Sequence, residues 1–337
     1  MKHLQSKVNR TRLLYAAAIV FFFASAILGI LLGSTELSLS KIIRLLWEGD
    51  TSSPEYRIFY YVRLPRPLAA LFCGAALSVS GAVIQKILAN RLASPSVVGV
   101  NAGAGLAVTL CAACGILGGW QLSLFSFLGA FAAVLLVSAG AKRFGASRGT
   151  VLLIGVALNS LLGAISDTVI TLDPTAGIFR NEFRIGDFSY LSFSALPSAF
   201  AVILLALVLL FLLSNRLDVL SLGEDEAKAL GMNTSLMRLL FLLLAALLAG
   251  AAVSIAGLLS FVGLLVPHIV RRLGACEARH QLPLCALFGG GFVALCDTLA
   301  RVLFAPFELP VGIIMAFLGA PFFLYLLLFG KGDRHRA

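Results

Sequence analysis

Residues 92–141 contain no Asp, Glu, Lys or Arg. A helix crosses a bilayer with about 20 consecutive apolar residues, so this run alone has room for two crossings. Further charge-free runs lie at 13–33, 67–85, 149–166, 188–215, 239–267, 281–296 and 309–330. In hydrocarbon every backbone N–H and C=O must be bonded within the protein, which leaves only helices and closed barrels. The runs lack the apolar–polar alternation of barrel strands. The expected fold class is therefore all-α, a polytopic membrane protein forming one transmembrane domain over residues 1–337.

Composition agrees. The chain is 60% hydrophobic and 12% charged, where a soluble domain carries about 25% charged residues. A string of soluble domains is thereby excluded. The formal net charge of +10 could suit nucleic acid, but the basic residues sit in short loops between apolar runs, where they orient a membrane protein. No nucleic-acid role is expected.

Basic clusters recur at 2–12, 86–91, 142–148, 216–238, 271–279 and 331–336. If all face the cytoplasm, an even number of crossings separates each neighbouring pair. That parity gives about ten spans with both termini inside. It requires a break in 92–141 near Gly118–Gln121, and another near Ala256-Gly257, with the following helix running to about Arg272. The basic start before 13–33 resembles a signal peptide, but the apolar run is long for one, so an uncleaved first span is expected. Arg57, Arg63, Arg66, Arg180, Arg184 and Arg301 fall on the outer side and break the rule.

The six cysteines lie mostly in or beside apolar runs and read as small hydrophobes. Cys111 and Cys114 have CxxC spacing but no second pair, and Cys276 with His280 supplies only two ligands, so no metal site is expected. Pro267-His268 reads as the end of a short helix rather than a titrating switch.

Two stretches carry a more specific signal. The first runs from Arg63-Leu-Pro-Arg66 through Gly74, Ser80-Gly81 and Gln85 to Asn90, Pro95 and Gly99. The second runs from Leu220–Gly223 through Leu230-Gly231 and Gly257–His268 to Asp297, Arg301, Glu308–Gly312 and Gly319. In order and spacing they resemble the FecCD-type permease family of importers for iron-siderophores, haem and cobalamin. Departures occur at Asn90-Arg-Leu-Ala93, where the family has Asn-Pro-Leu-Ala, and at Phe183–Asp187.

The resemblance implies a cobalamin-permease-like ABC importer fold and a permease subunit that moves an iron-chelate-type cargo, ferric siderophore or haem, by alternating access. It implies a bacterial cytoplasmic (inner) membrane location. It also implies a second permease copy, identical or paralogous, two ATPase subunits and an extracytoplasmic substrate-binding protein. This chain has no Gly-x-x-x-x-Gly-Lys-Ser/Thr phosphate loop. Any ATP would then be used by the partner, and no cofactor is expected on the permease.

Site expectations follow the same resemblance. Gly223 and Gly231 bracket good helix formers, with acidic residues first and Lys228 late, as the helix dipole prefers. The segment 218–233 reads as either a solvated connection or a helix coupled to the ATPase through Leu222, Gly223, Glu224, Glu226, Ala227, Leu230 and Gly231. Arg63, Arg66 and Arg301 match positions that dock carboxylates of a binding protein, although Asp297 lies one turn before Arg301 and could pair with it. Asn90, Leu92 and Ser147 match positions near a cytoplasmic gate. Asn159 and Ser160 are the polar residues expected to face a pathway.

Two rival classes remain. An ion-coupled secondary transporter would need ionisable residues near mid-membrane, and the spans hold almost none. An intramembrane enzyme would need a nucleophile–base pair or a metal cluster at one depth.

Overall fold

A computed structural model describes residues 2–33, 53–143, 148–189, 191 and 196–329. Among these the secondary structure is helical throughout. Besides short helical turns at Pro54–Ile58, Phe59–Arg63 and Pro95–Val98, the helices are α1 (Lys2–Leu31), α2 (Pro65–Ile87), α3 (Val100–Ala113), α4 (Gly119–Arg143), α5 (Arg148–Leu172), α6 (Pro174–Ile185) and α7 (Leu196–Leu212). They continue with α8 (Ser214–Leu222), α9 (Glu224–Ala229), α10 (Thr234–Ala256), α11 (Val262–Arg272), α12 (Ala278–Val302) and α13 (Val311–Phe329).

Each apolar run of the sequence becomes a helix. Six are long and apolar enough to cross a bilayer, and α7 with α8, bent by 60°, supplies one further broken span. The others, α3, α11 and α13, are shorter. The break expected at Ala256-Gly257 is present, but α11 covers only 11 residues, about half a bilayer at 1.5 Å per residue. The chain between α10 and α11 uses Gly257 at φ +68° and Phe261 at φ +67°, left-handed geometry that no helix can continue.

Helix α6 lies between two apolar runs and was not foreseen. Its local code is nevertheless plain. Asp173 caps it by accepting from the Thr175 N–H at 3.0 Å, and Pro174 stands at the first helical position, where a missing N–H costs nothing.

The hub is α2. Its longest apolar stretch is 89% buried, against 17% for α1 and α5. It packs most extensively on α12 and α10, then on α11. Small residues make this approach feasible. A Cβ placed on Gly74 would strike the Gly289 backbone of α12, and one on Gly81 would strike Gly263 of α11. The polar residues of α2 act as ties: Ser78 donates to Cys285 O at 2.6 Å, Ser80 to Ala245 O at 2.7 Å and Gln85 to Gly263 O at 2.8 Å. Each spends its donor on the carbonyl of a different neighbour, which is how helices hold together where lipid removes any hydrophobic preference.

Candidate functional site

The α2–α12 pair carries a cluster of charges at each end. At the start of α2, Arg66 donates through Nε to Asp297 at 2.8 Å and through Nη1 to Glu308 at 2.7 Å, with Asp187 at 3.5 Å. Arg301, one turn beyond Asp297 on α12, reaches the second oxygen of the same carboxylate at 3.1 Å. Asp297 is fully buried, and Arg66 and Arg301 are 5% and 4% exposed. One carboxylate thus bridges two buried guanidiniums.

Arg301 also donates to Leu32 O and Gly29 O, and Arg63 donates to Leu31 O at 3.1 Å. Those carbonyls are the unpaired last turn of α1, which carries the negative end of the helix dipole. The structure therefore brings Arg63, Arg66 and Arg301 together and turns them inward. Their nitrogens face Asp187, Asp297, Glu308 and the end of α1. The local Asp297–Arg301 pair is present.

Beside this cluster lies a cavity of about 690 Å³ whose polar lining includes Ser123, Ser126, Glu182, Asp187, Ser254 and Glu308. Backbone bonds lace together the segments beside it. Asp187 N–H donates to Ala256 O, Leu258 N–H to Phe183 O and Gly312 N–H to Gly186 O. Gly312 has no room for a Cβ against Ile185 O.

At the other end of α2 the chain turns back. Asn90 accepts from the Leu92 N–H at 2.9 Å, a short side chain closing a turn on its own backbone. The Leu92 side chain is exposed and borders a cavity of about 110 Å³ with Arg91, Phe261, His268 and Phe322. Asn159 of α5 donates to Ser96 O at 2.9 Å, and Gly155 lets Val97 O approach α5 closely. Asn159 therefore clamps the returning segment. Ser160, beside it, is exposed and bonds back to Val156 O. Ser147 lies outside the described residues.

The same end holds the segment 218–233. Gly223, at φ +155° and ψ 166°, takes a conformation that essentially only glycine adopts. It separates α8 from α9, and Gly231 at φ +80° ends the turn after Leu230. Ala227 is fully buried, whereas Leu222 and Leu230 are 65% and 67% exposed. Glu226 is exposed too. Glu224 faces inward to Arg238 of α10 at 3.3 Å and along α9 to Lys228 at 3.2 Å. Burial alone would raise its carboxyl pKa, but the bonds from Lys228 and Arg238 hold it below its ordinary value.

Asp218 of α8 escaped the sequence reading. It accepts from Lys86 Nζ at 2.6 Å and from the Ala278 N–H at 3.0 and 2.8 Å, while Lys86 also donates to Cys276 O at 2.9 Å. Asp218 thereby caps the start of α12 in place of Glu277, which makes no cap bond. No signal near Asp218 could have announced this, because its partners lie 132 and 60 residues away.

A close-packed bundle of long apolar helices with polar ties, an interior charge cluster at one end and an apolar, partly exposed helix–turn at the other marks a helical membrane protein. Comparison with known proteins makes that particular. The FecCD transport family matches residues 10–329. The Fe(3+)-citrate import system permease protein YfmD of Bacillus subtilis is 35% identical over 98% of this chain and 99% of its own. The hemin transport system permease protein HmuU of Yersinia pestis is 38% identical over 90% of this chain and 93% of its own. The vitamin B12 import system permease protein BtuC of Yersinia enterocolitica is 38% identical over 88% and 90%. A solved chain described as an inward-facing conformation of a putative metal-chelate type ABC transporter superposes with a TM-score of 0.80 at 30% identity, over 94% of this chain and 99% of that one. The chain belongs to the FecCD transport family. It is a permease subunit of an ABC importer and not an enzyme; the ATPase is a separate subunit.

Proposed function

We propose that this chain imports an iron-chelate-type cargo, ferric siderophore or haem, across a bacterial cytoplasmic membrane. It works as one of two permease copies with two ATPase subunits and an extracytoplasmic binding protein. The Asp218 end faces the cytoplasm, and both termini lie there. The observation that carries this reading is the division of labour in 218–233. Leu222 and Leu230 are turned outward, while Glu224 and Asp218 tie the same segment to α10, α12 and α2.

An ATPase that grips Leu222, Glu226 and Leu230 would therefore move α2 and α12 rather than a loose loop. Nothing in the mechanism requires chemistry on this chain. Nucleotide-driven motion of the ATPases biases an existing equilibrium between two permease shapes. At the opposite end, Arg63, Arg66 and Arg301 hold the ends of α1, α2 and α12 in register beneath the face that a binding protein would meet. Asn90 and Leu92 border the cytoplasmic mouth, with Asn159 setting the segment's position. Ser147 belongs to the same proposal by its place in the sequence.

The test is ATP hydrolysis and cargo uptake by the purified complex in lipid, with ferric siderophore, haem and cobalamin supplied separately. Gly223→Pro and Leu230→Asp are expected to uncouple hydrolysis from uptake. Full uptake by this chain without any ATPase would overturn the reading in favour of an ion-coupled carrier.

A further inference from the structure

A third cavity, of about 240 Å³, lies between the ends of α4, α5 and α10. Its floor is closed, since Ser138, Val151 and Leu242 are buried, and its rim is open at Lys142 and Leu236. Arg238 forms part of the wall and is 3% exposed. One of its nitrogens, Nη2, meets Glu224. The other two, Nε and Nη1, are buried with no hydrogen-bond partner among the described residues, and so is the Ser138 hydroxyl.

Buried polar atoms without partners are rare and call for a reason. Glu224 cannot supply one. Its side chain is 37% exposed and already divided between Lys228 and Arg238. Lys142 and Arg238 line the cavity, Arg143 follows Lys142 at the end of α4, and the described lining contains no Asp or Glu.

The vacant donors define their ligand. Nε–H and Nη1–H lie on different edges of the guanidinium, and each can donate singly to an oxygen of a phosphate or carboxylate seated in the cavity. The Ser138 hydroxyl can add a third bond, and the start of the long helix α10 adds its dipole. Ala141, Val151, Leu239 and Leu242 give the same cavity apolar walls, which a free inorganic anion would not use. Basic pockets between helix ends at the cytoplasmic face suit anionic headgroups.

We propose that this cavity binds the phosphate of an anionic membrane lipid, with Arg238 as the principal ligand and Lys142 at the rim. Because Arg238 also holds Glu224, an occupied site steadies the α9–α10 link. The assignment to the cytoplasmic leaflet and this effect on coupling rest on the proposed function; the phosphate chemistry does not.

The experiment is native mass spectrometry of the purified permease–ATPase complex, delipidated and then offered phosphatidylglycerol, phosphatidylcholine or inorganic phosphate. One phosphatidylglycerol per permease chain is expected, retained about tenfold more readily than phosphatidylcholine. Lys142→Gln should lower that retention about fivefold, and Arg238→Gln should abolish the preference. Should Arg238→Gln fail to assemble, Ser138→Leu, which fills the floor, must block retention instead. Equal retention of both lipids, or no response to these substitutions, overturns the proposal. Displacement by millimolar phosphate would reassign the cavity to a free anion and overturn the lipid assignment. A loss of coupling with retention unchanged would count against Arg238 as the ligand while leaving the importer reading intact.

Discussion

The two ends of the α2–α12 pair are held by different physics. At one end a carboxylate with no exposure bridges two guanidiniums that are 5% and 4% exposed. At the other, Lys86 and Asp218 are 13% and 33% exposed at their side chains and share their bond with a helix start. A charge withdrawn from water is costly unless its partners are complete, so the first cluster behaves as a unit that holds or fails together. The second is wet enough to loosen and re-form. A rod fixed at one end and latched at the other suits a subunit that must pass motion inward from its ATPase.

The sharpest way to break this comparison is Asp297→Ala. It leaves Arg66 and Arg301 buried without their shared acceptor, and a loss of about 3–5 kcal/mol is expected, read as a large fall in melting temperature and in folded yield. Gly74→Val tests the seam between the ends. Its Cβ meets the Gly289 backbone, and overpacking of about 1–3 kcal/mol should appear as reduced thermal stability with both charge clusters intact.

Asp218→Ala is expected to cost less, about 1 kcal/mol, because only a helix cap and a part-exposed pair are lost. Its signature is functional: more ATP hydrolysed per cargo molecule moved. If Asp218→Ala destabilised as much as Asp297→Ala, the distinction between fixed and latched ends would fall.

The smallest effect belongs to Glu224→Gln, a few tenths of a kcal/mol after screening. The sign follows from the lowered carboxyl pKa. The Glu224 contribution is complete above the ordinary carboxylate pKa and is lost as pH falls through the lowered value. Coupling in the wild type should therefore be flat around neutrality and decline only in strong acid, and Glu224→Gln should remove that decline.

Much of this was legible in the sequence, for identifiable reasons. Charge-free runs mark helices because lipid forbids unpaired backbone, and Gly223 and Gly231 mark α9 because each sits at a positive φ. The three arginines could be singled out by position, yet their burial could not. Asp187, Asp297 and Glu308 meet Arg66 only because three separate helix ends converge. Asn159 looked like a pathway residue because it is polar within an apolar run. Its amide donates to Ser96 O, a contact set by the returning chain. Asp218 and Arg238 stayed ordinary on paper, one in a loop and one in a basic cluster, since what distinguishes them is the company they keep in space.

The glycine seam between α2 and α12 has a consequence for temperature. Apolar burial in water weakens on cooling because its strength comes with a large heat capacity. Contact between Gly74 and Gly289 releases no water in a lipid surround; it is dispersion between backbones at close range. The grip of this rod should therefore change little as the cell cools. What fails first in the cold is then the fluidity of the surrounding lipid, not the protein's own lever.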